Sequence, residues 1–372
     1  MSAKDLDYMR LALREAKKGI GRTSPNPAVG AVVVKNGTVV GKGYHRKAGT
    51  PHAEVHALND AGAKARGATI YVTLEPCNHT GRTPPCTAAI IKSGIRRVVI
   101  GMADPNPWVN GGGADYLASQ GLTVTRGVLE SECRAINRPF AKQTTTGLPW
   151  VTMKAAVSLD GRIATVTGHS NWITGKEARH HVHRLRDRVD AILIGSGTAL
   201  ADDPSLTTRL PGGRGRDPVR VVLDTDLRLP AGAKMLTQHS PARTLVFCGP
   251  QPAAGKVKAL EAAGALIRPV ALAKGGGLDL RLVLRQLGSE GITSVLVEGG
   301  GTVHGALLRA GLVDEVQFFV APIFIGDDGV PAVGGLGVRV VSRAPRLTEV
   351  HSRRLGDDLL IEGLLAGTPA VG

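Results

Sequence analysis

The sequence predicts an α/β protein of two three-layer domains, and three observations predict it. The chain has 372 residues, more than one ordinary hydrophobic core serves. Apolar strands and helical segments alternate from residue 28 to residue 102. That rhythm breaks at residues 143–149 and restarts at Trp150.

Each element has a local reason. Leu6, Met9, Leu13 and Ala16 share one face of an N-terminal amphipathic helix. Residues 28–34 form a continuous apolar strand, and Asn36-Gly37 before Val39-Val40 is a hairpin signal. A helix starts near His52 and runs to about Asp60; residues 68–74 are a buried strand, 86–93 a helix and 97–102 a strand. Residues 143–149 (Gln-Thr-Thr-Thr-Gly-Leu-Pro) are polar and carry Gly and Pro, which makes them the boundary between domains 1–146 and 147–372. Beyond it come strands 150–156, 191–194, 219–223, 244–248, 294–298 and 315–320, with helices at 176–187 and near 305–310. Residues 365–372 read as a frayed tail.

Composition narrows the partners. No apolar run reaches the roughly 18 residues of a membrane span, and the N-terminus has no apolar signal core, so no membrane partner is expected. Four cysteines in this length point to metal or core thiols in a reducing compartment, the cytoplasm, rather than to a disulfide framework. Lys and Arg exceed Asp and Glu by 15, with 20 basic against 10 acidic residues in 1–149. That excess favours anionic ligands. Aromatic residues are only 3% of the chain, too few for stacking single-stranded nucleic acid, so small phosphorylated ligands are expected and nucleic acid is not.

The chemistry sits in one ordered set. His52 and Glu54 precede Cys77 by a helix and a strand, and Cys86 follows nine positions later. One imidazole and two thiolates satisfy three corners of a tetrahedral zinc and leave the fourth open, as a catalytic site requires. His52 and Cys86 fall at helix starts, where the helix dipole favours the thiolate. Glu54 lies beside the ligands without being one, the place of a proton shuttle between attacking water and leaving ammonia. Alone, His52 is a helix cap and the cysteines are core thiols; the ordered set with Pro51 and Pro76 selects the metal. His56 and His79 break the ligand order and are expected to hydrogen-bond or face solvent. Cys133 and Cys248 have no partner at metal spacing and are expected in the core.

Eight residues separate Cys77 from Cys86 instead of the two usual in nucleobase deaminases. That gap, Asn78-His79-Thr80-Gly81-Arg82-Thr83-Pro84-Pro85, together with Thr23-Ser24-Pro25-Asn26-Pro27-Ala28-Val29-Gly30 and His52-Ala53-Glu54, resembles the bifunctional riboflavin-biosynthesis deaminase–reductases. The resemblance continues through residues 151–161, Ser170-Asn171-Trp172-Ile173-Thr174, residues 201–209 and Val297-Glu298-Gly299-Gly300-Gly301, so it spans nearly the whole chain. It implies a cytidine-deaminase-like first domain and a dihydrofolate-reductase-like second domain. It also implies two consecutive steps: zinc-dependent deamination of a phosphoribosylamino diaminopyrimidinone, then NADPH-dependent reduction of its ribosyl group to ribityl.

By the same resemblance, Asn26, His45 and Arg82 hold the pyrimidine nucleotide in the first site. In the second, Lys154 and Asp202 are catalytic, while Ser170, Arg186, Ser205, Arg209 and Glu298 contact substrate. Trp172, Thr174, Gly195, Thr198, Asp224, Gly299, Gly300 and Gly301 contact the cofactor. The residues themselves leave alternatives open. Asp203 suits a cap, Asp224 suits a turn as well as a ribose contact, and Arg184 or Arg186 could be surface residues of a basic helix. Gly195-Ser196-Gly197-Thr198 is not a full dinucleotide fingerprint. A homo-oligomer is compatible with the resemblance. Two competing classes remain: a nucleic-acid base deaminase, which the basic first domain favours and the few aromatics oppose, and a structural zinc protein, which gives Glu54 no role.

Overall fold

The computed structural model describes residues 3–79, 84–106, 112–213 and 215–368. It divides into two compact units, residues 1–147 and 148–370. No helix among the described residues is long and apolar enough to cross a membrane.

The first unit runs α1 (Ala3–Lys17), β1 (Gly30–Lys35), β2 (Thr38–Tyr44), α2 (Ala53–Ala61), β3 (Thr69–Leu74), α3 (Cys86–Lys92), β4 (Arg97–Met102), α4 (Gly113–Ser119), β5 (Thr123–Thr125) and α5 (Glu130–Thr146). Its sheet has the order β2-β1-β3-β4-β5. The hairpin of β1 and β2 turns at Asn36 and Gly37, both at positive φ, as a tight turn of the primed type demands.

Glycines set how closely the layers approach. A Cβ at Gly30 would lie 2.1 Å from the Ala12 oxygen of α1, and one at Gly43 would lie 2.4 Å from the Ala53 oxygen of α2. Gly43 faces Ala31 across the hairpin, and Ala31 neighbours Gly30 in β1. Successive strand residues point to opposite faces, so α1 and α2 cover opposite sides of the sheet. Met9, Leu13 and Ala16 are buried as the helical pattern predicts, and Leu6 is half-buried. Asp5 is also buried on α1, where it accepts hydrogen bonds from the Tyr71 hydroxyl at 2.9 Å and Arg97 Nη1 at 2.8 Å.

The second unit runs β6 (Trp150–Val157), β7 (Arg162–Ala164), α6 (Lys176–Arg188), β8 (Ala191–Gly195), α7 (Ser196–Asp202), β9 (Val219–Leu223), α8 (Lys234–Thr237), β10 (Thr244–Cys248), α9 (Ala254–Ala262), β11 (Ala265–Pro269), α10 (Leu280–Ser289), β12 (Ser294–Val297), α11 (Gly301–Arg309), β13 (Glu315–Val320), β14 (Val330–Pro331), β15 (Leu347–Leu355) and β16 (Asp358–Leu365). The large sheet has the order β11-β10-β9-β8-β12-β6-β13-β16-β15. The first seven strands are parallel, and β16 and β15 continue antiparallel. Among the parallel strands β8, β10 and β12 are nearly continuous apolar runs, as a sheet covered on both faces requires, whereas β6, β9, β11 and β13 each carry a charged residue, Lys154, Arg220, Arg268 and Glu315.

The units divide between Gly147 and Leu148, inside the segment 143–149, but two expectations of local structure are corrected. Residues 143–146 are the last turn of α5, not a linker; Gly147, at φ 73°, caps the helix, and Thr145 and Thr146 return their hydroxyls to backbone oxygens of Ala141 and Lys142. Leu365 is not part of a frayed tail. It ends β16, and its amide donates to Asp314 oxygen at 2.9 Å. The hairpin of β15 and β16 has no counterpart in the sequence reading, because β15 is exposed on both faces and carries no apolar alternation.

Candidate active sites

Backbone geometry brings the first site together. His52 caps α2 with an extended conformation, Glu54 occupies the first turn, Cys77 follows β3, and Cys86 opens α3. The Cys86 amide donates to Cys77 Sγ at 3.3 Å. His52 Nδ1 lies 3.2 Å from Cys86 Sγ and 3.6 Å from Cys77 Sγ, and all three ligand atoms lie within 4.8 Å of one another. A tetrahedral zinc with ordinary bond lengths needs a nitrogen–sulfur edge of about 3.5 Å, so the donor set fits. The cluster is the sole His, Cys, Asp or Glu group of this kind among the described residues. Cys133 and Cys248 are buried, and all four cysteines are free thiols.

Glu54 is buried, and its Oε2 has no hydrogen-bond partner. Burial pushes its carboxyl up to about 7. A buried carboxylate oxygen without a partner is costly unless a ligand supplies one. It lines a cavity of about 360 Å³ with His52, Cys77, Asn26 and His45. His45 Nδ1 lies 3.2 Å from the Pro51 carbonyl, so this nitrogen is the donor and Nε2 accepts from Asn26 Nδ2 at 3.1 Å. The tautomer therefore orients the Asn26 amide, leaving its oxygen as an acceptor for a ligand.

The sequence reading missed Glu75, Asp104, Asn106 and Phe140, which also line this cavity. Phe140 comes from α5, distant in sequence and without a motif. Asp104 accepts the Asn106 amide at 2.9 Å, and burial raises its carboxyl. His79 is exposed at the rim, and His56 Nε2 is buried without a hydrogen-bond partner. Arg82 lies outside the described residues.

The second unit has a cavity of about 320 Å³ beyond the carboxyl ends of β8 and β12. Lys154, Ser170, Trp172, Thr174, Arg186, Thr198, Asp202, Arg209, Glu298, Gly299 and Gly300 line it. Trp172 is 72% exposed, and the Arg179 guanidinium lies 4.3 Å from its ring centroid. Burial raises the Asp202 carboxyl, opposed by a hydrogen bond with Ser170. The Gly300 amide donates to Thr198 Oγ1 at 3.1 Å. Burial would raise Glu298, but Arg186 and Lys154 hold it down to about 2. His304 also lines the cavity; its Nδ1 lies 2.9 Å from Ala332 oxygen.

Other residues singled out from the sequence have structural partners of their own. Asp224 is fully buried and its Oδ2 accepts the Leu229 amide at 2.7 Å, so it builds a turn and is closed to a ribose. Gly301 packs: a Cβ there would lie 2.3 Å from Pro331 oxygen. Gly195 likewise packs, its Cβ position meeting Val303 at 2.8 Å. Ser205 is outside the cavity lining, and its carbonyl accepts Gln238 Nε2 at 2.6 Å. Asp203 accepts the Lys234 amide at the start of α8, the cap expected for it. Arg184 is exposed.

The comparisons agree with this division. The family model for the cytidine and deoxycytidylate deaminase zinc-binding region matches residues 2–102, and that for the RibD C-terminal domain matches residues 149–361. The riboflavin biosynthesis protein RibD of Aquifex aeolicus is 43% identical over 357 residues, covering 96% of this chain and 97% of that protein. The solved RibD structure from Acinetobacter baumannii has a TM-score of 0.88 at 36% identity, covering 98% of this chain and 99% of that one. The Thermotoga maritima diaminohydroxyphosphoribosylaminopyrimidine deaminase/5-amino-6-(5-phosphoribosylamino)uracil reductase has a TM-score of 0.86 at 38% identity, with the same coverage.

Proposed function

The chain belongs to the RibD family of bifunctional riboflavin-biosynthesis deaminase–reductases, and from that premise we propose the substrate and the residues that act on it. The first unit hydrolyses the 2-amino group of 2,5-diamino-6-(5-phosphoribosylamino)pyrimidin-4(3H)-one. The second reduces the ribosyl group to ribityl with NADPH, giving 5-amino-6-(5-phosphoribitylamino)uracil. The observation that carries the first step is the unpartnered buried Glu54 oxygen beside His52, Cys77 and Cys86.

His52, Cys77 and Cys86 would hold zinc, which acts as a Lewis acid and activates water near neutral pH. Glu54 takes a proton from the attacking water and delivers it to the departing amine, so the water oxygen stays on the ring carbon as a carbonyl while the carbon–nitrogen bond breaks and ammonia leaves. Asn26, oriented by His45, hydrogen-bonds the pyrimidine edge. Arg82 is assigned to the 5′-phosphate by resemblance.

NADPH held in the second cavity would supply the hydride for the sugar carbon bonded to nitrogen. Gly299, Gly300, Thr198, Thr174 and exposed Trp172 provide the amide, hydroxyl and aromatic surface for the cofactor. Ser170 and Arg209 meet the substrate, and Arg209, at the exposed rim, suits its phosphate. Asp202 and Lys154 manage the proton that reaches the sugar oxygen as the ring opens. The free thiols fit a cytoplasmic setting.

A coupled assay tests this. The diaminopyrimidine nucleotide should yield ammonia and then consume NADPH, and chelating zinc should stop the first step while supplied deaminated product is still reduced. NADPH oxidation that ceases on chelation even with supplied product would refute the division of labour.

A further inference from the structure

Cys77 is approached from both directions along the chain. Downstream, the first amides of α3 turn back on it: Cys86 donates to Cys77 Sγ at 3.3 Å, and Thr87 donates to Cys77 oxygen at 3.3 Å. Upstream, Glu75 and Pro76 join it to β3. The Glu75 amide donates to Met102 oxygen at 3.0 Å, and Pro76 has no amide hydrogen with which to anchor the next step. The remaining upstream contacts come from the start of α4. The Ala114 amide donates to Glu75 Oε1 at 2.9 Å. Gly113 lies so close that a Cβ there would be 1.9 Å from Pro76 oxygen and 3.6 Å from Glu75 Cγ.

We propose that Glu75 is a positioning residue of the first site: its carboxylate caps α4 and, with Gly113 against Pro76, braces the turn that presents Cys77 to the metal. This rests on His52, Cys77 and Cys86 holding zinc.

The first turn of α4 needs an acceptor from elsewhere. Its N-cap is Gly112, at φ 77°, which has no side chain to offer. Glu75 supplies the acceptor, and the helix dipole favours a carboxylate at that end. The contact works in both directions: Glu75 orders the first turn of α4, and α4 holds the backbone just before the ligand. A metal site tolerates little play, because donor distances must hold within about 0.2 Å. Glu75 also borders the first cavity, so a substrate contact is its rival role. The two roles differ in what they ask of the side chain. A cap needs one oxygen acceptor, which glutamine also carries, whereas a contact through the charge needs the carboxylate.

The test uses the full-length chain loaded with zinc, or with cobalt(II) in its place. Glu75→Ala should release zinc to a chromogenic chelator about tenfold faster than wild type, the scale on which lost outer partners weaken a metal site. Its thiolate-to-cobalt charge-transfer band should shift while far-ultraviolet circular dichroism stays the same. Glu75→Gln, which keeps an oxygen for the Ala114 amide, should match wild type in zinc release and cobalt spectrum. Gly113→Ala, which must displace α4 or the Pro76 carbonyl, should speed zinc release with Glu75 intact. Wild-type zinc release and cobalt spectrum in Glu75→Ala would overturn the brace, and a KM for the diaminopyrimidine nucleotide raised about tenfold in that variant would then assign Glu75 to the substrate. Glu75→Gln that loses zinc as fast as Glu75→Ala would overturn the cap as the cause. A wild-type chain that takes up neither zinc nor cobalt would overturn the metal assignment itself, a separate outcome.

Discussion

At the residue scale, Glu54 and His45 show how a site can be built from groups that do not touch the metal. The Glu54 Oε2 atom is buried without a partner, a cost accepted where a reacting group arrives. Glu54→Gln keeps the shape and removes the proton shuttle. Ammonia release should fall by roughly 100- to 10,000-fold, while elemental analysis still finds zinc on the three ligands; ammonia release at the wild-type rate would sink the shuttle. Asp202→Asn should lose NADPH oxidation and leave deamination intact, because Asp202 and Glu54 line separate cavities. Loss of both steps in that variant would contradict two sites.

At the element scale, the metal geometry depends on how closely α2 approaches the hairpin. A Cβ on Gly43 would fall 2.4 Å from both the Ala53 oxygen and the Ala57 nitrogen, backbone atoms of the helix that His52 caps and whose first turn holds Glu54. Gly43→Ala must therefore push α2 away. The expected outcome is less bound zinc at equal protein and a stability loss of about 1–3 kcal/mol, read by denaturant unfolding. Unchanged zinc content would show that the helix can shift without the site.

Much at this scale was legible in the sequence, and for definite reasons. The central parallel strands β8, β10 and β12 are nearly unbroken apolar runs, and the hairpin announces itself with Asn36 and Gly37. Residues that line a cavity through tertiary approach gave no such signal: Phe140 sits in α5, and Asp104 follows β4 without a motif. Residues 143–146 misled because threonines and glutamine are ordinary loop formers, yet here two threonines bond back to their own helix. Asp224 and Gly301 have structural roles that their motifs did not announce: Asp224 is buried and accepts the Leu229 amide, and Gly301 allows the close approach of the Pro331 oxygen.

At the scale of the whole molecule, one core is built from residues between Met9 and Cys133, and the second unit gathers apolar residues from Leu148 to Leu360. Acid should weigh on the second unit through two histidines of α6. Burial, then neighbouring arginines, pushes His181 and His183 each down to about 4. An unfolded histidine titrates near 6.5, so between about pH 6.5 and 4 the unfolded chain binds more protons and stability falls as pH falls. The Glu298 pair adds slope in the same direction only toward the lower end of that window: its carboxyl, at about 2, stays ionised while an unfolded glutamate takes up protons near 4.3, so above about pH 5 its part is small. Replacing both histidines with glutamine keeps a side-chain acceptor for the Arg209 amide, which His183 Nδ1 receives at 3.2 Å. The difference in unfolding midpoint between wild type and the double variant cancels the other titrating groups. It should favour wild type less at pH 5 than at pH 7, and a difference constant across that interval would mean that the two imidazoles are protonated in the folded protein as readily as in the unfolded chain.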